Sequence, residues 1–316
     1  MFINILILLA LIGLALGFGW LTRLAWRSHN AFAKWAGSLL SGLLTVVLLL
    51  VGLLAMKGLV MYYTPKYTPA PNLTIASTPE QIARGEHIAS AFCIDCHSTT
   101  GEFPLTGGVD LADDLPIDLG SFISSNLTPA GPLQNYTDGE LFRALRENVD
   151  EDGKRLLMMS GTNVRNLSDE DMLAMIAFLR SQEPVQHETP NPPDAPNFTA
   201  LLLFGAGLFP DKELLQGEIV APEKAATAEY GAFMMTFLDC KLCHGENLTG
   251  GDSPIGPAGP PLTHIKGWTE EEFIATFRTG VTPNGNQMGD LMPWRSTGRL
   301  DDVELGALYQ YIINQP

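Results

Sequence analysis

Basic residues are scarce in this chain. Nineteen Lys and Arg stand against 35 Asp and Glu over 316 residues, a formal charge of −16. That excludes a generic nucleic-acid binder, which needs a basic face against phosphate. Acid is missing altogether from residues 1–66, whose five charged side chains are Arg23, Arg27, Lys34, Lys57 and Lys66. The remainder therefore carries a balance of −21. Charge of either sign is absent from residues 2–20 and again from residues 35–56. Cysteine is rarer still, with four residues. What the chain does not lack is apolar material: the 46 % hydrophobic fraction leaves ample residues for packed cores and excludes wholesale disorder.

The two uncharged runs have the length of membrane spans. As helices they would extend about 28 Å and about 33 Å at 1.5 Å per residue, against a hydrocarbon layer of roughly 30 Å. The short loop between them holds Arg23, Arg27 and Lys34. By the positive-inside rule it is cytoplasmic, so both ends of the hairpin face outward. Trp20, Trp26, Trp35, Tyr62 and Tyr63 fall near the expected interfaces, and Gly13-x-x-x-Gly17 is a candidate packing face. A cleaved signal peptide is the rival for the first run. No basic region precedes it and no A-x-A site is evident, so two spans are the expectation.

Every cysteine lies in one of two copies of C-x-x-C-H: Cys93-Ile94-Asp95-Cys96-His97 and Cys240-Lys241-Leu242-Cys243-His244. Two thiols three residues apart at a helix end reach the two vinyl groups on one haem edge, and the adjacent His turns its ring onto the iron. A four-cysteine zinc site would not require a His after each pair. A thioredoxin-like motif would have no following His. The expected cofactors are two covalently bound haem c groups, with Cys93, Cys96, Cys240 and Cys243 as attachment points and His97 and His244 on iron. Such attachment is made outside the bacterial cytoplasm, in agreement with the topology read from charge.

The surroundings of the motifs are duplicated. Each is preceded by a helical segment, the first opening with Thr78-Pro79-Glu80-Gln81, a capping box. Each is followed by a Gly- and Pro-rich loop, then a short helix starting near Thr137 or Thr269, then an amphipathic helix opened by Ser168 or Asp301. Met172, Ile176 and Leu179 recur on one face of the first closing helix, and Val303, Ala307 and Tyr311 on the second. A methionine stands at the same place in both copies: Met159 lies eight residues before Leu167, and Met292 eight before Leu300. Met159 and Met292 are therefore the expected sixth ligands. Pro293 follows Met292, whereas Met159 lacks a following Pro and has Met158 as an adjacent rival.

Both halves resemble class I cytochrome c domains. Their pairing is similar to the multihaem cytochrome subunits of bacterial membrane-bound alcohol and aldehyde dehydrogenases. The matching residues are the two C-x-x-C-H motifs, Ser125-Asn126-Leu127-Thr128-Pro129, Leu167-Ser168-Asp169-Glu170-Asp171 and Met292-Pro293. The resemblance implies cytochrome domains over 77–185 and 217–316; with the transmembrane hairpin read from the uncharged runs over 1–66 and a Pro-rich linker with a short apolar helix over 186–216, the expected chain is all-α, although those subunits are usually anchored differently. The resemblance also implies that Gly259-Pro260-Pro261-Leu262 lets the Pro260 carbonyl orient His244. The first copy lacks that tetrapeptide, which leaves the partner of His97 unassigned. Those subunits commonly carry three haems, whereas this chain has two motifs. His87, His187 and His264 are alternative ligands or structural residues. Trp268, Arg146 and Arg278 are candidates for haem propionates or for packing. The apolar run 198–209 is too short to span a membrane and is expected to pack on a haem domain or a partner.

The functional expectation is an electron relay at the outer face of a bacterial cell membrane, without catalytic residues of its own. Its partners would be membrane lipid and an integral respiratory or photosynthetic complex, or another redox protein. The cytochrome subunit of a periplasmic dehydrogenase is the first alternative and a dihaem peroxidase the second. A Met at the matched position of both copies argues against the peroxidase, which needs an open iron. The topology has a direct check: protease added to intact spheroplasts is expected to remove the haem-bearing part, and protection until lysis would contradict it.

Overall fold

The computed structural model describes residues 2–66, 68–113, 115, 117–190, 194–208, 212–251 and 258–315. Pro192, Pro193 and Phe209, which belong to the linker expectation, lie outside them. The chain opens with two long apolar helices, α1 (Phe2–Trp26) and α2 (Ala31–Tyr63), longer than the uncharged runs alone. Both are long and apolar enough to cross a membrane, and most of their large side chains, from Ile3 to Leu54, are bare. They pack on each other through Thr22 and Ser41, whose hydroxyls meet at 2.8 Å. The expected Gly13 and Gly17 face is not used, since neither residue has a neighbour within 4 Å of where a Cβ would stand.

The rest is mostly helical. The first copy consists of α3 (Pro79–Phe92), α4 (Ile94–His97), α5 (Asp138–Glu147), α6 (Leu157–Ser160) and α7 (Asp169–Ser181). A connecting segment holds α8 (Phe198–Ala206). The second copy repeats the order as α9 (Ala228–Met234), α10 (Cys240–His244), α11 (Glu270–Thr279), α12 (Trp294–Thr297) and α13 (Asp302–Ile313). Local chemistry explains the helix starts. Thr78, Thr137, Thr269 and Asp301 each form a reciprocal capping box, with Gln81, Glu140, Glu272 and Glu304. Two strands that the helical pattern did not foreshadow, β1 (Gly120–Phe122) and β2 (Asp194–Pro196), pair antiparallel with Phe122 opposite Asp194.

The duplication extends to backbone detail. In each copy the first helix crosses the last at a glycine. A Cβ on Gly85 would come within 2.0 Å of the Ala174 carbonyl oxygen, and one on Gly231 within 2.1 Å of that of Ala307. Helices α5 and α11 both end on a left-handed residue, Asn148 and Gly280, followed by matching bridges Val149–Arg155 and Val281–Gln287. On α7 the expected face is buried, with Met172 and Ile176 fully enclosed. On α13 it is corrected in part: Ala307 is buried and Tyr311 packs against the core as expected, but Val303 is exposed, and Leu305, Leu308 and Ile312 complete the core face. The cores of both copies merge into one apolar cluster, with Phe92 packed edge-on against Phe237.

Helix α8 packs on the first haem domain, one of its two expected neighbours, and it also lies on α2. A Cβ on Gly58 would come within 1.9 Å of the Leu201 oxygen, and one on Gly205 within 1.8 Å of the Leu54 oxygen. Tyr62, Leu119, Phe122, Leu157, Ala200, Leu201 and Phe204 form a second core there, joining hairpin, ribbon, α8 and the first copy. Asn4 also donates to the Pro196 carbonyl at 2.9 Å. Because the helix crossings leave no room for a side chain, Gly85→Val and Gly231→Val are each expected to destabilise the chain by about 1–3 kcal/mol or more, measured by denaturant unfolding.

Candidate functional site

The first C-x-x-C-H motif starts at the cap of α3, and the second follows α9 after a turn over residues 235–239. Cys93 caps α3 and α4 carries His97, while α10 spans the whole second motif. All four thiols are free and half-buried. Burial pushes Cys93 and Cys240 up to about 12 and Cys96 up to about 11, so the thiols stay protonated among apolar neighbours. Cys93 Sγ lies 3.7 Å from the sulfur of Met175.

Each motif histidine is held by a backbone carbonyl. His244 Nδ1 is 2.7 Å from the Pro260 oxygen, as the resemblance implied. His97 Nδ1 is 2.9 Å from the Ser125 oxygen, which supplies the partner that sequence left unassigned. The two loops are equivalent: the amides of Gly107 and Gly250 donate to the carbonyls of His97 and His244, and those of Leu127 and Leu262 to the carbonyls of Leu105 and Leu248. Ser125-Asn126-Leu127 thus stands where Pro260-Pro261-Leu262 stands, a correspondence that the backbone makes and the side chains conceal. With Nδ1–H donated to a carbonyl, Nε2 is the free nitrogen in both rings. Burial also lowers the His97 pKa, against the opposing pull of the Ser125 bond, and so favours the neutral imidazole.

The methionines differ in their settings. Met292 packs against the main core beside Met288 and Trp294, and its amide donates to Gly289. Met158 packs into the second core, with the hairpin, and the half-buried Met159 is not part of that cluster. Trp294 brings a feature that sequence reading missed: its indole Nε1 is buried without an acceptor among the described residues. Four free thiols, two oriented imidazoles and this orphan donor fit a planar, anion-bearing cofactor.

The other candidates are structural. Arg146 donates to the carbonyls of Arg165 and Leu167 and pairs with Asp169 at 2.5 Å, and Arg278 likewise binds the Gly298 carbonyl and Asp302. Both pin the segment after the methionine to the last helix. The Trp268 carbonyl accepts from Tyr309. His187 and His264 bond the Thr106 and Pro261 carbonyls. His87, at 2.6 Å, and Arg84 reach Glu304 across the domain boundary, and Lys224 binds it from within the second domain.

The two copies face each other reciprocally. Asn163, four residues after Met159, donates to Asp239 next to Cys240 at 2.7 Å. Ser296, four residues after Met292, donates to Asp95 between Cys93 and Cys96 at 2.5 Å. Each methionine segment therefore lies against the cysteine motif of the other copy.

This architecture and these motifs define c-type cytochrome domains, and comparison with known proteins agrees. The cytochrome c family model matches residues 82–183, and the model for cytochrome c oxidase, cbb3-type, subunit III matches residues 225–312. Both matched domains are of the electron-carrying cytochrome kind, and such domains imply covalent haem c. The chain's relatives include the gluconate 2-dehydrogenase cytochrome c subunit of Pantoea cypripedii, 33 % identical over 73 % of this chain and 58 % of that protein. A nicotinate dehydrogenase subunit of Pseudomonas putida is 29 % identical over 72 % of this chain and 21 % of its own length. The cytochrome c subunit of alcohol dehydrogenase (quinone) from Komagataeibacter europaeus is 30 % identical over 35 % of this chain and 26 % of its own. The chain thus spans between about a fifth and under three fifths of these relatives.

Glu304 carries a pH prediction. Burial alone would raise its pKa, but hydrogen bonds from His87 and Lys224 outweigh it and hold the carboxyl well below the usual range. A lowered carboxylate pKa contributes stability above the ordinary value of 4.5, lost as pH falls below it. Glu304→Gln is expected to cost about 3–5 kcal/mol at neutral pH, a difference that narrows in acid when both proteins are unfolded by denaturant.

Proposed function

We propose that the chain carries two haem c groups and relays electrons between them at the outer face of a bacterial cell membrane, with α1 and α2 as its anchor. Cys93, Cys96, Cys240 and Cys243 would attach the haems. His97 with Met159, and His244 with Met292, would close the two irons, and the Trp294 indole would donate to a propionate. When bound, haem iron supplies a one-electron couple, which a soft methionine ligand poises toward the reduced state. The chain's own residues aim both imidazoles through the Ser125 and Pro260 carbonyls and fix the distance between the domains. The observation that carries the reading is the reciprocal docking of Asn163 on Asp239 and Ser296 on Asp95, which sets each iron-closing segment beside the other haem's attachment point.

The relay has a direction in space. In the first domain Val149 is fully buried and Met158 is packed against the hairpin core; their counterparts Val281 and Leu291 are 38 % and 74 % exposed. The first haem would lie toward the membrane and the second toward a redox partner. The names of the relatives favour a dehydrogenase as that partner, and a quinone or an integral oxidase would serve the membrane side. The domains are 77–185 and 217–316, joined through 186–216.

Two tests follow from the ligands and the surface. Met159→Ala and Met292→Ala are each expected to remove half of the weak far-red charge-transfer band of methionine–iron bonding, to lower one potential and to let carbon monoxide bind one haem; an unchanged spectrum would exclude that methionine. Leu291→Asp is expected to slow electron exchange with the partner while leaving both haem spectra intact.

A further inference from the structure

The two methionine segments are stabilised by different means. In the second domain Met292 is followed by Pro293, which fixes the backbone locally. In the first, Met159 lies in α6, a single turn whose N-cap Leu156 offers no side-chain bond. The first amides of such a turn need acceptors from elsewhere. The Leu157 amide finds one in Asp194, whose Oδ2 accepts it at 3.1 Å. Asp194 lies 37 residues further along the chain, on β2, and is buried. Its own carbonyl accepts the Tyr62 hydroxyl of α2 at 2.8 Å. Tyr62, Leu157 and Phe122, the residue opposite Asp194 in the ribbon, share one apolar cluster with α8, and Met158 packs against it.

We infer that Asp194 and Tyr62 are positioning residues for the first haem's sixth ligand: the last turn of the second long helix holds β2, and Asp194 on β2 holds the turn that presents Met159. The inference rests on the reading of Met159 as that ligand. It accounts for the missing proline, because the restraint that Pro293 supplies within the second domain is supplied to the first by the hairpin. Met158, which sequence offered as a rival ligand, instead takes the place of the packing group that seats the turn on the hairpin core. The first iron's coordination is then tied to the anchor, and the second iron's is independent of it. Burial pushes the Asp194 carboxyl up to about 6, against the lowering effect of the Leu157 bond, as fits a group enclosed for its geometry rather than its charge.

The test uses the full chain in detergent, with the far-red band of the oxidised protein and carbon monoxide binding by the reduced protein as readouts. Asp194→Ala is expected to remove about half of the band and to open one haem to carbon monoxide. Asp194→Asn, which keeps an acceptor oxygen, is expected to restore both. Tyr62→Phe removes only one hydroxyl and is expected to cause a smaller loss confined to the same haem. The half of the band from Met292 reports that the variant has folded. A full band in Asp194→Ala, with half of it lost in Met159→Ala, overturns the positioning role while keeping the ligand. A full band in Met159→Ala overturns the ligand reading and the inference together. Loss of both halves in Asp194→Ala and Tyr62→Phe alike assigns these residues to general stability and also overturns it.

Discussion

The close crossing of the first and last helix in each copy is the constraint on which the rest depends. Only a residue without a side chain lets α3 reach the Ala174 carbonyl and α9 reach that of Ala307. That contact sets where α3 and α9 end; the first C-x-x-C-H motif begins at the cap of α3 and the second one turn after α9. The crossing also sets the starts of α7 and α13, to which Arg146 and Arg278 tie the segments after the methionines. The same packing decision, made twice, positions the thiols and imidazole of each motif and, in the proposed assignment, the methionine segment. The second copy then docks on the first, so that the same decision places two cofactor sites side by side in a continuous apolar core.

Much of this was legible in the sequence because it is encoded locally. Capping boxes, the motif spacing and the equal separation of Met159 and Met292 from the closing helices are short-range signals. Their repetition makes each more specific than it would be alone. Even the hairpin's helical character follows from composition. What stayed hidden is what long-range geometry decides. Ser125 holds His97 through a backbone oxygen, which any side chain could accompany, so no residue type marks it. Glu304 looks like a capping residue of α13, and it is one, yet it also gathers His87, Arg84 and Lys224 from other elements. The Val303 error has a similar origin: spacing extended the buried face one turn too far, while Ala307 and Tyr311 of the same face do meet Gly231 on α9.

Helix α8 shows how an apolar segment can be read correctly as a helix packed on a haem domain while a second neighbour, α2, stays hidden. Its twelve-residue apolar run is uniformly hydrophobic, so periodicity could not say which side is buried. Gly205 on α8 and Gly58 on α2 decide the matter by letting the two helices cross closely, and the crossing joins the hairpin to the first domain. Domains built from one repeat thereby acquire different roles. The first is enclosed by hairpin, ribbon and α8, and the second keeps the equivalent rim open.

The central claim is that a single chain holds two covalent haems in this paired arrangement. Its most direct measurement is the haem iron content and intact mass of the purified full chain after extraction with acidified solvent. The account predicts two haems per chain, both resistant to extraction and both lost only when the cysteines of their own motif are replaced. One haem per chain, or haem released by the solvent, would contradict it.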